Sequence, residues 1–369
     1  MQHLCIVLQM IMVEAGFRPR PCYGCGGRQR GEATLSSGDL RKPITARQLA
    51  RMIGVSQSAV SRAYTPGASI SPEMRQRILT MADSLGYSPN AIASTLSRRR
   101  SNIVGIVVSA MRNPFYPVLI EKLSRGLQQV GQQSLLFNLT HGADIRQQLA
   151  ALRQYSVDAV VIVSAAPLSG AALSWATEGR TTIMINRTVP DSSLSSVCCN
   201  NADGAHAIAD HFHALGHRRA AFIAGVPHAS ANLERQHAFI ARLAELGMTL
   251  TASVAGGEYS YETGYRAAIE VARAGRTEAI FFANDILAVG GIDALRDEMG
   301  LSVPGDIAVA GFDDIAMAGW PRYSLTTFRQ PLDAMVERTV QLVTGKAEPT
   351  ETNIHLLPGE LIVRKTTGG

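Results

Sequence analysis

The chain has 369 residues, 46% of them hydrophobic and 18% charged, with a formal net charge of +5. That length accommodates two or three domains and a sizeable core. Apolar runs of about ten residues at most exclude a membrane-spanning helix, and ordinary Gly and Pro content excludes fibrous and wholly disordered classes. Five cysteines are too few for a disulfide scaffold, which points to a reducing cytoplasm.

The charge is distributed unevenly: residues 1–40 balance at +1, residues 41–100 at +8 and residues 101–369 at −4. A basic segment ahead of a mildly acidic body suggests a polyanion-binding head. The alternative is a solvated helix face. Residues 1–41 are expected to be a disordered extension, or the product of a start codon placed upstream of the folded chain. The apolar stretch 4–13 lacks the basic flank and cleavage site of a secretory signal. Cys22 and Cys25 have no further ligands at zinc spacing, so no metal is expected there.

The first regular elements begin near residue 45. Thr45 followed by Gln48 forms a capping box, and Ala46, Leu49, Ala50 and Ile53 recur at helical spacing. Gly54 permits a tight turn over Val55. Ser56 is a good N-cap for a second helix with Ala59, Val60 and Ala63 on its inner face. Its outer face carries Gln57, Ser58, Ser61 and Arg62. Short polar side chains let such a helix approach a major groove closely, while Gln57 and Arg62 reach base edges. A functionless helical hairpin is the competing reading, and the +8 balance argues against it. A third helix starts at Ser71-Pro72-Glu73, with Met74, Ile78, Met81 and Leu85 as its expected buried stripe and Gly86 at its end. Residues 89–100, closed by Arg98, Arg99 and Arg100, are too short to be stable as an isolated helix and read as a hinge that folds only with a partner.

Continuous apolar runs then alternate with helical patterns. Strands are expected over residues 102–108, 134–138, 157–163, 182–185, 219–223, 279–282 and 307–311, with helices over 118–130 and 145–154. Repeated βαβ units imply α/β architecture with parallel sheets, and ligands bind outside their carboxyl ends. The length of the body favours two lobes. Residues at or beside strand ends are therefore candidate ligand contacts: Phe115, Ser164, Asn186, Asn284 and Asp313. Asn and Asp also suit helix caps, so Asn284 and Asp313 carry that reading too. His206, His213 and His217 lack acidic companions at metal spacing, and Cys198-Cys199 read as buried inert thiols. There is no G-x-S-x-G, H-E-x-x-H or Walker motif, so neither an enzyme nor a cofactor is expected.

The stretch 44–96, with VSQSAVSR, S-P-E, GYSPN and a Leu six residues after Asn90, resembles the DNA-binding head and hinge of the LacI/GalR transcriptional regulators. The resemblance continues through NPFYPVLIEKL, LGHRRAAFIAG, FFANDILAVGGIDAL, VPGDIAVAGFDD and LTTFRQP to nearly the end of the chain. It implies a helix-turn-helix domain over 42–88, a hinge over 89–100 and a two-lobed periplasmic-binding-protein type I-like domain over 101–369 for effector binding and dimerisation. It implies that Thr45 and Ser56 hold phosphates, that Gln57, Ser58 and Arg62 read bases, and that the hinge from Asn90 places Leu96 as a minor-groove wedge. Ala91 departs from the longer side chain common at its position. Arg235 matches the family's ligand-binding Arg, and Tyr259 falls where members place an aromatic wall. The implied function is a cytoplasmic dimeric repressor that binds a roughly palindromic double-stranded operator under control of a sugar-like effector. The body alone would also suit a solute-binding protein of a transport system.

Overall fold

The computed structural model describes residues 44–65, 67–89, 100–109, 111–138, 152–163, 181–189, 194–347 and 352–368. The expected N-terminal extension, most of the hinge with Asn90 and Leu96, most of the helix over 145–154, and Ser164 lie outside the described residues. The described chain falls into two compact units, dividing after Pro89.

The first unit is a three-helix head: α1 (Ala46–Ile53), α2 (Gln57–Ala63) and α3 (Pro72–Ser84). Each helix starts on a side-chain cap. Thr45 Oγ1 accepts from the Gln48 amide at 3.3 Å while Gln48 Oε1 accepts from the Thr45 amide at 2.8 Å, closing the capping box. Ser56 and Ser71 accept from the Ala59 and Met74 amides. Gly54, at φ 75°, turns the chain between α1 and α2 in a conformation that a β-carbon would strain. Leu49, Ala50, Ile53, Val60, Ala63, Ile78 and Ala82 form the core. Met81, expected inside, is 39% exposed. The inward stripe of α3 runs through Ile78 and Ala82, four residues apart, and Met81 sits one position off it. Two of the head's arginines serve its own fold: Arg75 Nη1 donates to Ala63 O at 2.7 Å and Arg77 Nη2 to Ile53 O at 2.7 Å. Each places a cation against the carbonyl end of a neighbouring helix.

The second unit holds two six-stranded sheets. The first contains β1 (Ile103–Val108), β2 (Gln133–Asn138), β3 (Ala159–Val163), β4 (Thr181–Ile185), β5 (Ser195–Cys199) and, late in the chain, β11 (Ile354–Leu357), in the order β11-β5-β4-β3-β1-β2 with every pair parallel. The second contains β6 (Arg219–Ala224), β7 (Thr249–Ala255), β8 (Ala279–Phe282), β9 (Ala308–Asp313), β10 (Thr326–Arg329) and β12 (Glu360–Ile362), in the order β12-β10-β9-β8-β6-β7. Only β12 runs antiparallel to its neighbour. The expected strands fall within one or two residues of these bounds. The four short strands β5, β10, β11 and β12, together with β7, were not singled out by their apolar pattern.

The helices cover the sheets. α4 (Phe115–Gln129) and α9 (Leu332–Thr344) pack one face of the first sheet through Leu119, Leu123, Leu127, Met335 and Val336. α5 (Asn201–Ala214), α6 (Ser230–Glu245), α7 (Tyr261–Arg273) and α8 (Asp285–Asp293) enclose the second around Phe212, Phe222, Phe239, Phe281 and Phe282. The chain crosses between lobes at three places: from β5 into α5, from β10 into α9, and from β11 into β12. Two separately cored sheets joined by three strands of chain make a hinged body, and the strand carboxyl ends of both face the crossings.

Candidate functional site

In the head, Gln57, Ser58, Ser61 and Arg62 are all exposed along one side of α2, while Val60 and Ala63 are buried. Arg62 donates to Ser58 Oγ and to Ser69 O, each at 3.4 Å, so its guanidinium is loosely steadied and has donors left to offer. Thr45 and Ser56, the expected phosphate contacts, are the exposed N-caps of α1 and α2. A phosphate oxygen at either helix start would meet amide donors and the positive end of the helix dipole. Asn90 and Leu96 lie outside the described residues.

In the body, a cavity open to solvent, with about 350 Å³ of empty space between atoms and out into its mouth, is lined by Asn113, Tyr116, Asn186 and Arg187 from the first lobe and by Ala229, Ser230, Ala231, Arg235, Tyr259, Asn284 and Asp313 from the second. Its centre is the Asp313 carboxylate, at the end of β9, which is 5% exposed. Gln330 Nε2 donates to Asp313 Oδ1 at 2.6 Å, and Arg235 Nη1 stands 3.6 Å from the same oxygen. Asn113 and Asn284 complete the set with side-chain hydrogen bonds. Both asparagines work twice. The Asn113 Oδ1 accepts from the Phe115 amide at the start of α4, and the Asn284 Oδ1 accepts from the Leu287 amide at the start of α8. Their amide nitrogens are thereby left for the carboxylate. Burial pushes the Asp313 carboxyl up to about 6, against the opposing pull of Arg235 and the three amide donors.

Arg235 is itself fixed on all sides. Its Nε donates to Asn201 Oδ1 at 2.8 Å, its Nη1 to Ala283 O at 2.6 Å, and its Cζ lies 3.6 Å from the Phe312 ring centroid. Two phenols line the walls. Burial holds Tyr116 at about 12 and raises Tyr259 still further, so both stay neutral and can donate. The Tyr259 ring lies flush on Gly225, where a β-carbon would come within 2.0 Å of Cε1. Asn186 (φ 60°) and Asp313 (φ 118°) hold backbone conformations uncommon for residues with a β-carbon. Such strain persists only where surrounding contacts over-determine it. Among the buried polar atoms, Asn186 Oδ1 has no protein partner, which leaves an acceptor beside the cavity for a ligand donor.

The structure therefore brings together Asn186, Arg235, Tyr259, Asn284 and Asp313. It does not bring Phe115. That ring is 3% exposed, packs edge-on against Tyr116 and belongs to the core under α4. Asn113 starts the helix so that Phe115 points at the sheet, and the neighbouring Tyr116 takes the aromatic place in the cavity wall. Ser164 lies outside the described residues. Asn284 proves to be both helix cap and cavity residue, whereas Asp313 caps nothing. Asn113, Tyr116, Arg187, Ser230 and Gln330 were not anticipated; the N-P-F-Y stretch carried the signal for the first two. Among the described residues no group of His, Cys, Asp and Glu is arranged to hold a metal, and no helix is long and apolar enough to cross a membrane.

Residues 209–367 match the family model of the periplasmic binding protein-like domain. The chain is 30% identical to the HTH-type transcriptional regulator GalS of Salmonella typhimurium over 310 residues, 83% of this chain and 91% of that protein. Among solved structures it resembles the lac repressor dimer bound to operator and the anti-inducer ONPF, with a TM-score of 0.79 at 25% identity, covering 88% of this chain and 99% of that one. It also resembles the CelR–cellobiose complex, with a TM-score of 0.65 at 28% identity and the same coverage of both chains. These relatives are transcriptional regulators, and with its capped three-helix head and two-sheet body this chain is a DNA-binding transcriptional regulator. The chain belongs to the LacI/GalR family.

Proposed function

We propose that this regulator is a cytoplasmic homodimeric repressor that grips a roughly palindromic operator and adjusts that grip when a small polyol, sugar or sugar derivative occupies the cavity. The observation that carries the reading is the cavity itself. A buried Asp–Arg pair, three asparagines and a serine beside two tyrosine faces match the alternating hydroxyls and apolar faces of a sugar ring. The complex of the similar CelR with cellobiose supports the ligand class. In the head, Gln57, Ser58 and Arg62 read bases, Thr45 and Ser56 hold phosphates, and Asn90 and Leu96 belong to a hinge that orders in the minor groove. In the body, Asn186, Arg235, Tyr259, Asn284 and Asp313 contact the effector, with Ser164 assigned to it by its place after β3. Effector binding shifts operator affinity through its differential affinity for the two lobe arrangements.

The test has two parts. Thermal-shift screening of sugars, sugar acids and nucleobases identifies a stabilising compound, and operator titrations with and without it measure the response. Stabilisation by a nucleobase alone would overturn the sugar reading. Leu96→Ala weakens specific operator binding and leaves the compound's stabilisation intact; unchanged operator affinity would remove the wedge role.

A further inference from the structure

Two sets of hydrogen bonds among the described residues cross the cleft beside the cavity and differ in kind. One is the hydrogen bond between Asn113 and Asp313, whose partners both line the cavity, so an occupant competes for it directly. The other involves Thr188, just after β4, and the first turns of α6. The Thr188 amide donates to Ser230 Oγ at 3.0 Å, and Thr188 Oγ1 donates to Glu234 Oε1 at 2.6 Å. Ser230 lines the cavity but neither Thr188 nor Glu234 does, so the Thr188–Glu234 bond is the part of this set that an occupant does not meet. The second Glu234 oxygen accepts from Asn201 Nδ2 at 2.7 Å, and Asn201 Oδ1 accepts from Arg235 Nε. A continuous chain of hydrogen bonds thus runs from the first lobe through Glu234 and Asn201 to the guanidinium that faces Asp313.

We propose that Glu234 is the fastener that holds the lobes together across this edge of the cleft and, through Asn201, keeps Arg235 aimed at the carboxylate. It is a positioning residue and touches no ligand. A carboxylate that takes one charge-assisted hydrogen bond from each lobe is a strong, directional tie. Because an occupant of the cavity cannot displace it, it sets how often the empty cleft opens. Its consequence for effector capture rests on the functional reading above, since affinity scales with the fraction of molecules in the competent arrangement.

Hydrogen exchange of the full-length protein without any small molecule tests the tie independently of that reading. Thr188→Val and Glu234→Ala each accelerate exchange across residues 183–189 about tenfold, the loss expected for one hydrogen bond to a carboxylate. The double variant exchanges no faster than Glu234→Ala alone. Thr188→Ser, which keeps the hydroxyl, restores the slow rate, while residues 279–282 in the second-lobe core exchange alike in all variants. Wild-type exchange in Thr188→Val, or effects that add in the double variant, would overturn the proposal. Failure of every screened compound to bind would instead count against the effector reading and leave this result standing.

Discussion

Replacing Arg235 with alanine isolates what the guanidinium does for Asp313. The side chain is 2% exposed and supplies a hydrogen bond to Asn201, another to Ala283 O, the stack on Phe312 and the only positive charge beside the buried carboxylate among its described contacts. Removing one partner of a buried ion pair costs about 3–5 kcal/mol. The cost depends on pH in a defined direction. The native Asp313 carboxyl, raised by burial to about 6, binds a proton that the unfolded chain has already released, so wild-type stability falls as pH rises from the usual carboxylate range to about 6 and then levels. Without Arg235, which lowers it, the native carboxyl moves higher still. The variant therefore keeps losing stability above pH 6, by up to about 1.4 kcal/mol per pH unit. Urea unfolding followed from about pH 5 to about pH 8 should show a wild-type–variant gap that is smallest at the acid end and widens beyond pH 6. A gap of constant size across that range would refute the assignment of Arg235 as the group that keeps Asp313 ionised. The same variant should lose its response to effector while retaining operator affinity.

Three further outcomes follow from other parts of the molecule. Gly225→Ala drives the Tyr259 ring off the backbone it rests on, so thermal stabilisation by the effector should drop at least about tenfold in affinity, or roughly 1.4 kcal/mol; an unchanged affinity would take Tyr259 out of the wall. Arg62→Ala should cost about 1–3 kcal/mol of discrimination at one base pair of each half-site, measured by titration against operator variants. Cys198 and Cys199 are buried in β5, and burial pushes Cys199 up to about 12 and Cys198 further; both should stay silent toward a thiol reagent until the protein unfolds, and fast labelling at either position, located by peptide mass mapping apart from Cys5, Cys22 and Cys25, would contradict their inertness.

The head was legible because its signals are local. A Thr–Gln box, a glycine turn and a serine cap each act within four residues, and all of them stand where the sequence puts them. The long strands were legible from unbroken apolar runs buried on both faces. β5, β10 and β11 were not, because Ser, Thr, Cys and His hold places that only pairing with neighbouring strands makes into a sheet. In the cleft, the strand-end rule located Asn186, Asn284 and Asp313, and resemblance located Arg235 and Tyr259. Phe115 failed by one residue, which on a helix is about a hundred degrees of rotation. Gln330 and Arg187 carry no local mark at all; the crossing of the chain between lobes is what brings Gln330 to Asp313.

The double duty of Asn113 and Asn284 divides the cavity into a portion that can change and a portion that cannot. Exchange of either asparagine strips a helix of its first-turn acceptor and a buried anion of its donor in the same stroke, so both are locked by folding before any ligand is considered. Tyr116, Arg187 and Ser230 face the same space without anchoring a helix start. Descendants of this chain that learn a new signal molecule should therefore rewrite that rim and inherit the floor unchanged.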